Sequence, residues 1–258
     1  MVPDGQRINA GVVFVHAADG NRLGPHRMFV ELAERLKYLG IASLRFDMRG
    51  CGDSEGEPAG SDIKADIEDL QNAISFFASK YNPSKIFLFA ISRGARVSIS
   101  ALAQNRIPVG GAILLSTPFA GTKAAAKKFS SRLKEYLYKF TNPDSIKKLL
   151  SGKANLKQIV KTLVFALVSQ KRYRSNTAGF VTRCPLFFIY GSKDPIAADS
   201  AVHYRKICDK FNIPLAMTEI ENANHSFFHY RWNEQILEMT ENWLLKNMSD
   251  RDEDDHLS

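Results

Sequence analysis

Three short stretches carry the residue types that acyl-transfer chemistry needs. Ser92 stands in KIFLFAISRGAR (85–96), between Ala90 and Gly94, at the point where an apolar run turns into a helical pattern. A chain that reverses from strand to helix within a residue or two brings the two elements too close for large side chains at the positions flanking the turn. Small residues two before and two after Ser92 meet that demand, so the stretch reads as a nucleophile elbow written A-x-S-x-G. A serine hydroxyl is a weak nucleophile near neutral pH and needs a histidine base held by a carboxylate. Asp194 follows the apolar run LFFIY in GSKDP, and His225 follows the next one in NANHSF. Each of the three falls just beyond the end of its own strand, in the order Ser, Asp, His.

Other readings stand beside these. Ser92 could be an ordinary helix N-cap, and Asp194 a turn residue ahead of Pro195. His229 rivals His225 from the first turn of the last helix, but a triad histidine needs a loop. His16 reads as packed at a strand end, His26 and His203 as surface helix residues, and Cys51 as structural. The loop 47–56, DMRGCGDSEG, lacks the Gly-Lys-Ser/Thr ending of a phosphate-binding loop, and Arg49 and Asp53 read as its ties.

The elements that must position these residues alternate. Strands are expected at 11–16, 41–46, 86–90, 111–116, 186–190 and 215–220, and helices at 25–39, 61–80, 93–104, 200–211 and 231–247. Strand runs apolar at every position argue a mostly parallel, doubly wound α/β sheet buried on both faces. The alternation stops at Thr117, and residues 118–183 read as a helical cap inserted over the carboxyl edge. The expected division is a core of 1–117 and 184–248, that cap, and a disordered acidic tail at 249–258.

Charge sharpens this picture. The 258 residues carry a net charge of +8, with 45% hydrophobic and 24% charged content, as in a soluble globular protein. Residues 118–183 hold fifteen Lys and Arg against Glu135 and Asp144, a surplus of thirteen, which leaves the remainder at −5. The stripe Phe129, Leu133, Tyr136, Leu137 and Phe140 could simply pack on the body beneath a solvated lysine face. Alternatively, it lines an acyl pocket whose outer face receives an anion: a coenzyme A phosphate, an acidic acyl carrier protein, an anionic saccharide or, less favoured, an acidic membrane surface. No nucleic-acid module accompanies the charge, so nucleic acid is not an expected partner. The opening residues do not read as a signal peptide, no run approaches the roughly 18 apolar residues of a membrane span, and Cys51, Cys184 and Cys208 lack metal-ligand spacing. A reduced, cytoplasmic protein without a metal or cofactor is expected.

On GSKDP, NANHSF and the elbow, the chain resembles an α/β-hydrolase over about 11–246. DMRGCGDSEG resembles the D-x-R-G-x-G-x-S-x-G loop of esterases and serine aminopeptidase-like members, and 20–56 resembles small hydrolases encoded with bacterial polysaccharide and exosortase systems. The resemblance implies Ser92 as nucleophile, Asp194 as orienting acid, His225 as general base, and a cap following the sixth-strand equivalent. It also implies an oxyanion hole from the N–H groups of Arg93 and of Ala18 or Ala17. The latter loop reads His16-Ala17-Ala18-Asp19 where the family usually has His-Gly, with Asp19 expected to point away or to pair with Arg22. One or two antiparallel strands that often precede the first strand are absent or reduced. The expected function is hydrolysis of a carboxylic ester or thioester. A serine peptidase or amidase, an acyltransferase, and a non-catalytic binding protein on the same fold are the alternatives.

Overall fold

The computed structural model describes residues 1–3, 8–18, 20–57, 63–104, 107–119, 182 and 184–249. The expected cap and acidic tail therefore lie outside the described residues, apart from 118, 119 and 182 in the first and 249 in the second.

The chain alternates as β1 (Ala10–Val15), a 3₁₀ turn (Pro25–Arg27), α1 (Met28–Tyr38), β2 (Ile41–Arg45), α2 (Ile63–Tyr81), β3 (Lys85–Ile91), α3 (Arg93–Ala103) and β4 (Gly111–Leu115). It continues with β5 (Leu186–Gly191), α4 (Pro195–Phe211), β6 (Leu215–Ile220) and α5 (Tyr230–Ser249). The six strands form one sheet in the order β2-β1-β3-β4-β5-β6, and every pairing is parallel. Parallel strands need crossover helices, and these cover both faces.

The period-two alternation of each strand divides the core accordingly. Val13, Leu88, Ala90, Leu114 and Phe188 pack with α2, α3 and α4, whereas Val12, Phe14, Phe89, Ile113 and Ile189 pack with α1 and α5. At about 1.5–3 kcal/mol for each large apolar side chain withdrawn from water, these two layers dominate the stability. The strands are rigid as a result, and their carboxyl ends hold fixed positions along one edge.

Two helix starts differ from expectation. The turn of α1 begins as 3₁₀ because His26 (φ 50°) and Arg27 (φ 63°) are both left-handed, so regular helix starts at Met28 rather than Pro25. Helix α4 starts at Pro195 rather than Ser200, because Asp194 caps it through Ala197 N–H. The N-cap suggested for α2 at Ser61 or Asp62 lies outside the described residues.

Before β1, the described residues contain no antiparallel strand. In its place Met1 and Ser43 exchange two backbone hydrogen bonds, of 2.7 and 2.9 Å, on the outer side of β2. Among the described residues no helix is long and apolar enough to cross a membrane. The three cysteines carry no disulfide, and burial pushes the Cys208 thiol up to about 11.

Candidate active site

The turn after β3 is set by backbone contacts. Ser92 adopts φ 54°, ψ −111°, a conformation costing about 1–3 kcal/mol that persists only where the surroundings enforce it. Its N–H donates to Leu115 O at 2.9 Å, and its carbonyl accepts from Arg96 N–H at 3.1 Å. Gly94 is required here, since a Cβ on it would lie 2.2 Å from Val15 O and 2.6 Å from His16 O. Ala90 is fully buried. Although Ser92 occupies the N-cap of α3, its side chain makes no capping bond. The hydroxyl instead meets His225 Nε2 at 2.9 Å.

His225 Nδ1 bonds to Asp194 Oδ2. A carboxylate offers only acceptors, so Nδ1 carries the imidazole proton and Nε2 presents its lone pair to the Ser92 hydroxyl. Asp194 is 4% exposed, and its other oxygen, Oδ1, accepts from Ala197 N–H at 3.2 Å at the head of α4. Burial pushes the carboxyl upward, but the His225 hydrogen bond and charge and the Ala197 N–H outweigh it, and Asp194 stays below the ordinary carboxyl range.

The loops bearing Asp194 and His225 are laced together. Ser192 N–H donates to Ile220 O at 3.0 Å and Lys193 N–H to Ala223 O at 2.9 Å. A Cβ on Gly191 would sit 2.2 Å from Ala223 O, so glycine lets the loops close to this distance. Phe227, fully buried, anchors the far side of the His225 loop. His229 stands just ahead of α5 rather than in its first turn. Its carbonyl accepts from Trp232 and Asn233 N–H and its ring packs on Tyr230 and Trp232, which leaves Ser92 to His225.

Facing Ser92 across a cleft of about 360 Å³ is the turn after β1; His16, Ala17, Ala18, Ser92, His225 and Ser226 all line this cleft. Gly20 N–H closes the turn onto Ala17 O at 3.1 Å. Arg93 opens α3, where an N–H has no acceptor within the helix. The Arg93 side chain turns away to Asp66, with Nε donating to Oδ2 at 2.7 Å. Burial pushes the Asp66 carboxyl up against the opposing pull of Arg93. Asp19 lies outside the described residues. Arg22 is engaged with Asp47 and Asp53.

The structure bears out the Arg49 and Asp53 ties of the glycine-rich loop, but other supports were not legible in the sequence. His16 is indeed buried at the strand end, but both its nitrogens are committed: Nδ1–H donates to Ala17 O at 2.7 Å and Nε2 accepts from Met48 N–H at 3.0 Å. It thus ties the Ala17 turn to the glycine-rich loop and is no free base. In that loop Asp47 accepts from Arg22 and from Asp53 N–H, Gly52 leaves room for the Asp47 carboxylate, and Arg49 forks onto Asp69 at 2.7 and 2.9 Å. Asp66 gave the clearest missed signal, a charge on the apolar stripe of α2 between Ile63 and Ile67. His203 stacks on Phe119, and His26 is exposed in the 3₁₀ turn. Among the described residues no three His, Cys, Asp or Glu side chains gather as a metal ligand set.

A parallel sheet of this order, with a serine elbow after β3 and acid and histidine loops after β5 and β6, defines an α/β-hydrolase fold. The solved structures agree. Est1E from Butyrivibrio proteoclasticus, described with ferulic acid bound, superposes with TM-score 0.66 at 17% identity over 97% of this chain and 94% of its own. An esterase from Pyrococcus furiosus gives 0.61 at 20% identity over 92% and 82%, and mouse α/β-hydrolase domain-containing protein 10 gives 0.63 at 17% identity over 92% and 90%.

The serine aminopeptidase (S33) family matches residues 9–230, and the chain belongs to that family. Among curated relatives, it is 30% identical over 118 residues to the lysophosphatidylserine lipase ABHD12 of Danio rerio, spanning 45% of this chain and 30% of that one. It is 34% identical over 112 residues to the quorum-quenching protein AidA of Acinetobacter baumannii, spanning 42% and 35%. The chain therefore matches less than half the length of these relatives.

Proposed function

We propose that the protein is a serine hydrolase that cleaves a carboxylic ester or thioester through Ser92, His225 and Asp194. The observation that carries this reading is the continuous hydrogen-bonded chain from the Ser92 hydroxyl through His225 to the buried Asp194 carboxylate. As Ser92 Oγ bonds to the substrate carbonyl carbon, its proton passes to His225 Nε2, and Asp194 stabilises the imidazolium. The tetrahedral oxyanion receives the N–H groups of Arg93, next to the nucleophile, and of Ala17 or Ala18, which line the cleft. His225 then protonates the leaving group, and the carbon–oxygen or carbon–sulfur bond breaks. Water, deprotonated by the same imidazole, releases the acid from the acyl-enzyme.

A fluorophosphonate probe tests this. It should add covalently to Ser92, with the modified peptide identified by mass spectrometry, and should leave Ser92→Ala unlabelled. An unlabelled native protein would instead support the non-catalytic binding alternative.

A second reading, peptide or amide cleavage, draws support from the family. An acyltransferase would use the same acyl-enzyme with an alcohol in place of water. Comparing ester, thioester and aminoacyl substrates separates the three.

For the substrate, an anionic acyl carrier such as coenzyme A or an acyl carrier protein is proposed on the basic surplus of 118–183. KM for an acyl-coenzyme A should rise severalfold between low and high salt while that for a neutral ester of equal chain length stays flat. Equal salt response of the two substrates would remove this assignment. The cytoplasm remains the proposed location, in keeping with three free thiols.

A further inference from the structure

Asp66 shares the buried face of α2 with Ile63, Ile67, Leu70, Ile74 and Phe77, and at 2% exposure it is almost wholly withdrawn from water. Two nitrogens of Arg93 converge on one of its oxygens: Nε donates to Oδ2 at 2.7 Å, and Nη2 stands 2.5 Å from the same atom. Stability does not account for this placement. Withdrawing two charges from water is expensive, and apolar residues of similar volume often hold such positions equally well. Helices α2 and α3 already meet through apolar residues, since Ile63, Ile67 and Leu70 share one cluster with Ala95, Val97 and Ile99. What the ion pair adds is direction.

Arg93 is the residue whose direction matters. Its N–H belongs to the peptide that follows Ser92, and Ser92 O accepts from Arg96 N–H at 3.1 Å in the first turn of α3. A trans peptide sets its N–H opposite to its C=O, so the Arg93 N–H points out of the head of the helix, the side on which Ser92 lies. The tilt of that peptide is set by Ser92 ψ, −111°, part of a strained conformation that persists only where neighbouring contacts enforce it. Asp66 grips the first side chain after the strain. At the next residue, a Cβ on Gly94 would lie 2.2 Å from Val15 O, which sets this turn against the end of β1, where the Ala17 turn begins. The Ala17 wall of the cleft is registered on the same helix. Asp69, three residues after Asp66, takes the Arg49 N–H at 2.9 Å and its guanidinium at 2.7 Å. The neighbouring Met48 N–H bonds to His16 Nε2, and His16 Nδ1–H reaches Ala17 O.

We infer that Asp66 is a positioning residue for the reaction, which by holding the Arg93 side chain fixes the direction of the Arg93 N–H that receives the oxyanion. The inference rests on the proposed serine-hydrolase reading. It assigns Asp66 no contact with substrate. A misdirected donor weakens the charged tetrahedral state and not the neutral ester before it, so the loss falls on kcat and leaves KM in place.

The test measures kcat and KM on p-nitrophenyl acetate, well below the unfolding transition, together with urea unfolding. It compares the native protein with Asp66→Ala and with a double variant, Asp66→Leu and Arg93→Met, which replaces the ion pair by an apolar one and keeps the backbone N–H. The expected result is a kcat about tenfold lower in both at unchanged KM, short of the roughly 10²–10³ lost with a whole oxyanion donor. The double variant should unfold at the native urea midpoint, which separates its loss of rate from any loss of stability. A native kcat in Asp66→Ala would overturn the inference, and so would a rise in KM at constant kcat. A native kcat in the double variant would reduce the pair to packing and overturn it as well; if Asp66→Ala does not fold, the double variant decides alone. A native protein that neither turns over the ester nor reacts with a fluorophosphonate at Ser92 would overturn the serine-hydrolase reading itself, which keeps the two failures distinguishable.

Discussion

Ser92→Ala is expected to lower kcat/KM on a short activated ester by at least about three orders of magnitude with little change in KM, and adding His225→Ala to it should cost almost nothing more. The reason lies in the arrangement of the three groups. The hydroxyl is 2.9 Å from a base whose tautomer is fixed by a buried carboxylate, so each member acts only through the others. His225→Ala alone should match the serine variant.

Asp194→Asn should also be severely impaired, by its own route. Ala197 N–H requires an acceptor, which keeps the amide oxygen on the helix cap and turns the NH₂ toward His225. The imidazole must then hold its proton on Nε2, facing Ser92, where it can accept nothing. Steady-state kinetics of the single and double variants settle the matter. If the losses multiply, or Ser92→Ala retains a tenth of the native rate, the assignment of these residues is wrong.

The second large effect is on folding. Gly94→Val should shift the urea unfolding midpoint strongly downward or yield insoluble protein, a destabilisation of about 3 kcal/mol or more against a typical total of about 5–15. The atoms that a Cβ at 94 would strike belong to the main chain, Val15 O at 2.2 Å and His16 O at 2.6 Å. A side chain could rotate aside, but the end of a central strand paired on both sides cannot. The displaced backbone is also the segment that leads into the Ala17 turn, so any soluble fraction should react slowly with the fluorophosphonate probe. Native-like stability in Gly94→Val would mean that α3 and β1 are farther apart than these distances require.

How far the sequence anticipates this site depends on the range of the interactions. Strands buried on both faces are written in local composition, and runs such as IFLFA and LFFIY placed β3 and β5 within a residue. The ordered serine, aspartate and histidine were legible because each follows its strand immediately, and a parallel sheet brings all strand ends to one edge. The start of α4 was misplaced because Asp194 read as a loop residue, when it serves as the cap. The head of α1 differs from expectation because Pro25 looks like a helix start, whereas His26 and Arg27 are left-handed and delay regular helix to Met28.

The supports under the site left almost no local trace. His16 meets Met48, Arg22 meets Asp47 and Arg93 meets Asp66 across 32, 25 and 27 positions, and no period or composition marks such pairs in advance.

Asp194 carries a consequence of its own. One of its oxygens begins a helix of seventeen residues and the other orients the histidine, so the secondary structure and the chemistry draw on a single ionised carboxylate. Its depressed proton affinity contributes stability that is present above the ordinary carboxyl range and lost as pH falls through the lowered value. Protonation of Asp194, below the ordinary carboxyl range, is therefore expected to loosen the head of α4 and the hold on His225 together.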